Sequence, residues 1–135
     1  MSFAAGIGAG NLFPLRTAHR REPVTVYGAY RPETASFFWK SAPCSDRFAL
    51  KAFLHQLRSR RRKRIQVIVL DNASIHICEY IREFAKRTRG LHLLTLPTYS
   101  PEYNPVEQVW KWLKSKVCGL PKAVNGGWRE IVARI

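Results

Sequence analysis

The length and charge of the chain set its first limits. It has 135 residues, room for one domain with a sizeable core, and 46% of them are hydrophobic. Lys and Arg number 23 against nine Asp and Glu, which gives a formal net charge of +14. This balance favours a polyanionic partner, with DNA or RNA first, although charge alone also fits a ribosomal or membrane-surface protein. No apolar run is long enough to span a bilayer, which argues against a transmembrane protein.

The cysteines and the first residues bear on the compartment. Cys44, Cys78 and Cys118 are scattered, odd in number and without a CxxC pair, which favours a reducing compartment over disulfides or metal ligation. The opening MSFAAGIGAGNLF has no basic segment before its apolar residues, so it does not resemble a signal peptide. The sequence therefore predicts a cytoplasmic protein.

The first third of the chain predicts an arm, a hairpin and a helix. Residues 1–22 are Gly-rich and then basic, with no hydrophobic period, which predicts a loose arm. VTVYGAY alternates from Val24, and SFFWK follows at 36–40, so the two segments are expected to pair as a hairpin. Ser45 is the expected cap of a helix over DRFALKAFLHQLRS, where apolar residues recur at helical spacing.

The remaining predicted elements alternate in type. In chain order they are a solvated basic turn at 58–64 (RSRRRKR), a buried strand at 65–70, a helix from about Ser74 to Arg89, a buried strand at 91–96 and a helix from Pro105 to about Val117. Gly90 suits the left-handed end of the second of these helices. Residues 119–135 predict a tail with a short amphipathic helix. Because strands and helices alternate, the chain is expected to have an α/β fold with parallel central strands.

Asp71 is the first candidate site residue. It directly follows the predicted strand at 65–70, and open α/β sheets bind ligands at the carboxyl ends of their strands. A second interpretation fits the position equally well, because Asp71 or Asn72 could simply cap the following helix.

Glu107 is the second candidate, in the first turn of the last predicted helix. With Asn104 as cap and Pro105 at the first helical position, Glu107 fits a capping box, which is a purely structural role. On a helical wheel, however, Glu107 borders the apolar stripe formed by Val106, Val109, Trp110, Leu113 and Val117. A carboxylate at that border can reach a cleft beside the sheet. Three prolines, at 97, 101 and 105, would hold the preceding loop so that Glu107 faces Asp71.

Paired carboxylates on a basic protein indicate a class of chemistry. Two acidic side chains brought together repel each other unless a cation lies between them. Hard oxygen ligands favour Mg²⁺ or Mn²⁺, and such ions catalyse in-line displacement at phosphorus. A basic surface would attach the substrate by neutralising its phosphates. Asp71, Glu107 and the net charge therefore agree on phosphodiester chemistry.

Two motifs resemble a known family. VLDNASIH (69–76) and LPTYSPEYNPVEQVWKWLK (96–114) closely resemble the DDE transposases of bacterial insertion sequences in the mariner superfamily. Thirty-five residues separate Asp71 from Glu107, the interval that the resemblance leads one to expect between the second and third catalytic acids. The resemblance covers residues 23–118 and implies an RNase H-like fold, a mixed five-stranded sheet flanked by helices. It also implies that Asp71 and Glu107 are catalytic and bind Mg²⁺ or Mn²⁺.

The resemblance adds auxiliary residues and partners. Asn72, His76 and Asn104 lie within the matching motifs and are candidate auxiliary site residues, although local structural roles fit each of them. Candidate DNA-binding residues are Arg58, Arg60, Arg61, Arg62, Lys63, Arg64, Lys111 and Lys114. The implied partners are DNA, as transposon ends in the family, together with a second copy of the chain or an upstream-frame transposase half. No membrane partner is expected.

The sequence departs from the family in its first segment. Family members carry their first catalytic Asp on a strand before the one matching VYGAY, whereas residues 1–23 contain no Asp and only one acid, Glu22. No segment matches the helix-turn-helix region by which such transposases bind their terminal repeats. The first strand is therefore expected to be missing or atypical. The chain is interpreted as a fragment of a catalytic domain for DNA strand cleavage and transfer, or alternatively as an inactive, basic, DNA-associating remnant.

Overall fold

The structure is a computed structural model that describes residues 2–12 and 24–118, with side chains described for 25–100 and 102–116. Its elements are β1 Ser2–Leu12, β2 Val24–Arg31, β3 Ser36–Ala42, α1 Arg47–Arg60, β4 Gln66–Leu70, α2 Ser74–Ile77, α3 Glu79–Arg87, β5 Leu91–Thr95 and α4 Val106–Cys118. No helix in this described part is long and apolar enough to cross a membrane. The tail predicted over 119–135 lies outside the described residues.

The five strands form one mixed sheet in the order β3-β2-β1-β4-β5. β1, β2 and β3 pair antiparallel, while β1, β4 and β5 pair parallel. The α1 and α3 connections carry the chain between the parallel strands, as such crossovers require. The expected α/β fold with parallel central strands is thus confirmed.

β1 corrects the expectation for the start of the chain. A loose arm is wrong for Ser2–Leu12, because this segment is the central strand of the sheet. Of the two alternatives for the first strand, missing or atypical, the structure therefore agrees with the second. Its sequence SFAAGIGAGNL consists mostly of small residues without the alternation that marks a strand. Hydrogen bonds to β2 on one side and β4 on the other hold it in place, so tertiary pairing overrides a weak local preference.

Two apolar layers cover the two faces of the sheet. Residues of β2 alternate between them, since Tyr27 packs with α1 and α3 whereas Val26 packs with α4. The α1 layer includes Leu50, Phe53, Leu54, Ile68, Leu70 and Ile81, all fully buried. The α4 layer consists of Val26, Val106, Trp110 and Leu113, which confirms most of the stripe predicted for the last helix. Each helix is therefore fixed to the sheet by its own set of buried side chains.

Two helix details differ from the expectations. Asp46, not Ser45, caps α1, because its carboxylate accepts a hydrogen bond from the Ala49 N–H at 2.7 Å. The single helix expected over 74–89 is divided at Cys78, whose extended backbone separates α2 from α3. The hydrophobic period continues through Cys78, so the pattern carries no sign of this break.

β5 differs from its prediction in burial. It is an edge strand, and most of its side chains are exposed, including Leu94 at 54%. The apolar run at 91–96 therefore does not mark a strand buried on both faces. Gly90, just before it, has a φ of 77°, the left-handed conformation that only glycine adopts without strain.

Candidate active site

Asp71 leaves the sheet at the carboxyl end of β4, as predicted. Its Oδ1 accepts a hydrogen bond from the Ala73 N–H at 3.1 Å and is also paired with Nδ1 of His76. The bond from His76, which is 2% exposed, is the main cause that lowers the pKa of Asp71. Asp71 is therefore held ionised and in one orientation, because a hydrogen bond to the charged form of a carboxylate favours that form.

The capping alternative for Asp71 and Asn72 does not describe their contacts. The cap of α2 is Ala73, which provides no side-chain bond, and the Asp71 bond to its N–H closes a turn before the helix. Asn72 turns the other way and donates from Nδ2 to Thr98 Oγ1 at 2.9 Å. This bond joins the loop after β4 to the proline-rich loop after β5.

Thr98 was not predicted from the sequence as a residue of the site. Its contact with Asn72 spans 26 positions, and only the parallel pairing of β4 with β5 brings the two loops together. A main-chain bond, from the Leu96 N–H to the Leu70 carbonyl at 2.8 Å, extends that pairing to the start of the loop. The loop is thereby fixed at the same end of the sheet as Asp71.

Asn104 and Glu107 form half of the predicted capping box. Asn104, which is 1% exposed, accepts a hydrogen bond on Oδ1 from the Val106 N–H at 3.3 Å. The reciprocal bond, from the Asn104 N–H to the Glu107 carboxylate, is absent from the described hydrogen bonds. Glu107 is half-buried without serving the helix end, so the structural role that the sequence favours for its side chain is not realised.

Glu107 and Asp71 are electrostatically coupled. Burial raises the pKa of Glu107, and the Asp71 carboxylate raises it further, while Lys114 and Lys111 partly oppose the shift. Coupling of this kind requires the two carboxylates to lie on the same side of the molecule. The structure thus brings together the two acids that the sequence analysis selected, with two lysines of α4 beside them.

Trp110 sets the position of α4, and hence of Glu107, on the sheet. A Cβ added to Gly28 would lie 2.8 Å from Trp110 Cζ2 and 2.6 Å from Phe37 Cζ, so β2 needs glycine there for the helix to approach. Phe37 and Trp110 meet edge to face with ring centroids 5.8 Å apart. The aromatic cluster therefore holds the first turns of α4 close to the strand ends.

The raised pKa of Glu107 predicts that removing its charge by substitution stabilises the chain at neutral pH and not at acid pH. Because its folded-state pKa is raised above the unfolded value, the folded state binds the proton more tightly. Stability therefore falls as pH rises through the interval above the ordinary Glu pKa. Glu107→Gln is expected to raise the thermal midpoint of the metal-free chain at about pH 7 and to leave it nearly unchanged at about pH 3, where the carboxyl is protonated in both states.

The measurement is thermal unfolding followed by circular dichroism in a chelator. The matched control is Glu102→Gln, which removes an exposed carboxylate from the preceding loop. A lower midpoint for Glu107→Gln at neutral pH would contradict the prediction and indicate that Glu107 is a stabilising capping residue.

A divalent ion fits this site only in part. Asp71 and Glu107 supply hard oxygen donors of the kind that Mg²⁺ and Mn²⁺ prefer. Within the described ranges, however, no group of three or more His, Cys, Asp and Glu residues is arranged to hold a metal. Ile7 pairs with Leu70, so the next residues of the two chains, Gly8 and Asp71, are expected to be neighbours, and β1 contains no Asp or Glu. Two carboxylates are present where the family resemblance implies three.

The basic run, residues 58–64 (RSRRRKR), lies at the end of the sheet opposite to Asp71. It connects α1 to the start of β4, whereas Asp71 follows the end of β4. Five residues of a strand span about 16 Å, so the run and Asp71 cannot contact the same phosphate. Only Lys111 and Lys114, among the predicted DNA-binding residues, lie beside the acid pair.

Arg58 has a structural task within that run. Its guanidinium donates to the main-chain oxygens of Arg61 at 2.6 Å, Arg62 at 2.8 Å, Arg64 at 3.0 Å and Arg89 at 2.9 Å. Its donors thus shape the loop, which gives Arg58 a structural role, and the DNA contact expected from the sequence stays a prediction. The sequence does not distinguish Arg58 from the other arginines of the run. In the fold it differs from them because it lies in the last turn of α1, facing the loop.

Comparison with known families decides the relationship. The family model described as DDE superfamily endonuclease matches residues 7–123, which include both acids and most of β1. The chain belongs to the DDE superfamily endonuclease family. In this DDE endonuclease domain, the two motifs singled out by sequence lie at the carboxyl ends of β4 and β5, which meet at one edge of the sheet.

A solved structure supports the fold. A chain of the simian T-cell lymphotropic virus intasome, in complex with PP2A regulatory subunit B56 gamma, aligns with a TM-score of 0.69 at 13% sequence identity. The alignment covers 97% of this chain and 46% of that chain, so the DDE endonuclease domain spans less than half the length of its structural relative. No curated protein sequence matches the chain significantly. The structural likeness confirms the expected RNase H-like fold.

Proposed function

We propose that the chain is a transposase catalytic domain of the mariner superfamily from a bacterial insertion sequence, built for metal-dependent DNA strand cleavage and transfer. The observation that carries the proposal is the match to a DDE endonuclease over residues 7–123, in which Asp71 follows β4 and Glu107 begins α4 after the neighbouring strand β5. The proposed domain extends from β1 to α4, beyond the 23–118 range that the sequence motifs suggest, because β1 is central to the sheet.

Each side chain of the site has a proposed task. Asp71 and Glu107 would hold Mg²⁺ or Mn²⁺, which when bound activates the attacking oxygen and stabilises the leaving oxygen at phosphorus. His76 positions Asp71 and keeps it ionised through the bond at Nδ1. Lys111 and Lys114 would neutralise phosphates of the DNA strand that enters the site.

The alternative function is a basic, DNA-associating protein that keeps the fold but does not turn over. The observation that favours it is the composition of β1, which has Gly8 at the position expected beside Asp71 and offers no carboxylate. The two functions apply at different levels: the chain on its own binds DNA without cleaving it, whereas its fold and its two acids derive from a transposase domain that cleaves and transfers DNA strands. A second polypeptide, encoded by an upstream reading frame, could supply the missing acid on its own strand. That strand would have to displace β1 from the centre of the sheet.

Both functions require DNA binding, which is expected to depend steeply on salt. Each phosphate neutralised on duplex DNA should add about 0.9 to the slope of log affinity against log salt. Lys111→Ala combined with Lys114→Ala should lower that slope by roughly 2 if each lysine contacts one phosphate. The measurement is fluorescence anisotropy of a labelled duplex over a salt series.

The control for this experiment is Lys51→Ala combined with Lys86→Ala, which removes the same charge from the α1 and α3 side of the sheet. An equal loss of slope in both double variants would mean that DNA is attracted by net charge and does not lie at the acid site. A flat salt response of the unmodified chain would reject DNA as the partner.

A further inference from the structure

A hollow of about 250 Å³ lies at the end of the sheet remote from Asp71. It is bounded by the end of β2, the start of β3, the last turn of α1 and the first residue of β4. The residues that matter to its chemistry are Arg31, Phe38, Arg60, Arg61 and Gln66. Its volume is just below the roughly 300 Å³ at which drug-sized ligand pockets begin, so a small ligand or one unit of a polymer would fit.

The hollow concentrates positive charge. Arg31 is 8% exposed, and burial together with the nearby Arg61 lowers its pKa. Glu33 is an acid within reach, at 3.8 Å from Arg31 Nε, and it is half-exposed. Arg60 lies over the ring of Phe38, 4.1 Å from its centroid. Guanidinium groups gathered this closely favour an anion, and their fork geometry suits the oxygens of a phosphate.

The loop at the mouth of the hollow is held in one shape. The Arg58 bonds to the carbonyls of Arg61, Arg62 and Arg64 fix the main chain although its own charges repel. The side chains of the loop face two different hollows: Arg60 and Arg61 line this one, whereas Arg62 lines another beside β5. A site arranged before the ligand arrives loses less entropy on binding.

Gln66 adds a preference for a ligand that carries a hydrogen-bond donor. It is 4% exposed, and its Nε2 donates to the Leu57 carbonyl at 3.1 Å, which fixes the orientation of the amide. Its Oε1 is buried and has no hydrogen-bond partner among the described residues. A buried acceptor without a partner is costly, so a ligand that presents a donor to Gln66 from the hollow would gain affinity beyond that of its negative charge.

We infer that this hollow binds one nucleotide, with its phosphate on Arg60, Arg61 and Arg31 and a sugar hydroxyl or base N–H directed at Gln66 Oε1. The nucleotide is either free or part of a nucleic-acid strand. Because the hollow lies about 16 Å from the acid pair, a strand held there is contacted at a different position from the one at Asp71 and Glu107. The inference goes beyond the proposed function and requires no metal.

The test measures thermal stabilisation of the full chain by dAMP in a chelator, so failure of the acid site cannot affect it. We expect a saturable rise of the midpoint with dAMP and a smaller one with inorganic phosphate at equal concentration. Arg61→Ala should weaken dAMP binding about tenfold or more, as expected for the loss of a charge-assisted hydrogen bond. Arg62→Ala is the matched control, since it removes one charge from the same loop outside the hollow, and should leave binding within about twofold.

Further measurements distinguish a free nucleotide from a nucleic-acid strand as the ligand and define the results that would overturn the inference. Gln66→Glu opposes a phosphate and should abolish the dAMP effect; because it also removes the donor to the Leu57 carbonyl, circular dichroism checks its folding, and Arg61→Ala against Arg62→Ala decides the outcome if it does not fold. A single-stranded oligonucleotide that displaces dAMP from the unmodified chain, and binds Arg61→Ala more weakly than Arg62→Ala, would assign the site to a strand. Binding of dAMP that the oligonucleotide does not displace would assign it to free nucleotides. Equal stabilisation by phosphate and dAMP, or equal losses in Arg61→Ala and Arg62→Ala, would overturn the inference.

Discussion

Gly8→Asp is expected to give the chain Mg²⁺-dependent DNA nicking, which the unmodified chain should lack. The pairing of Ile7 with Leu70 makes Gly8 the β1 residue expected beside Asp71, and Gly8 pairs on its other side with Gly28, which faces α4. A carboxylate at Gly8 would therefore join Asp71 and Glu107. Bound metal ions lower the activation free energy of such reactions by several kcal/mol, so the nicking rate should rise by roughly 100-fold or more above background.

The experiment follows relaxation of a supercoiled plasmid with Mg²⁺, with Mn²⁺ and with a chelator. Gly8→Asn is the matched control, because it has the shape of Asp without the charge, and it should remain inactive. In the Gly8→Asp background, Asp71→Asn or Glu107→Gln should abolish the gain. Nicking by the unmodified chain that survives Glu107→Gln, or a gain in Gly8→Asn equal to that in Gly8→Asp, would show that these acids are not the site.

Arg58→Lys is expected to destabilise the chain although it preserves the charge. Lysine is a point donor without the planar fork that reaches four main-chain oxygens, so most of the Arg58 bonds would be lost. The free energy of unfolding should fall by about 1–3 kcal/mol, the range for hydrogen bonds to charged groups at a partly exposed position. Gly90 is packed against this group, since a Cβ there would lie 2.7 Å from Arg58 Nη2.

The measurement is urea unfolding, paired with DNA binding at fixed salt. Arg62→Lys is the control, because Arg62 is exposed and contributes only its carbonyl to the network, and it should change stability by no more than about 0.5 kcal/mol. DNA binding should weaken in Arg58→Lys and not in Arg62→Lys, since only the first loosens the loop. Equal stability of the two variants would mean that the carbonyl contacts of Arg58 contribute nothing.

The sequence predicted much of the site because its cues are local. The position of Asp71 follows from the apolar strand that precedes it, and the border position of Glu107 follows from the spacing of apolar residues along α4. Neither cue depends on where other elements lie. The interval between the two motifs then identified the family, and the family match over residues 7–123 agrees with it.

The sequence did not predict features that depend on contacts between distant segments. Gln66 and Arg31 define a hollow only because the start of β4 and the end of β2 meet at one end of the sheet. Asn72 contacts Thr98 only because β4 pairs with β5. Among the arginines of the basic run, Arg58 becomes structural only because the last turn of α1 faces the loop that follows it.

By itself, then, the sequence determined the α/β class and the basic character of this DDE endonuclease domain and selected two candidate acids, since periodicity, element order and charge are properties of the chain. Only the tertiary structure decided that Ser2–Leu12 is the central strand. Its small residues have little strand preference of their own, and it gains order from hydrogen bonds with β2, the next strand in the chain, and with β4, which is distant in sequence. That strand carries Gly8 where the family resemblance implies an acid, so the tertiary structure also indicates the position at which the proposed metal site lacks a third carboxylate.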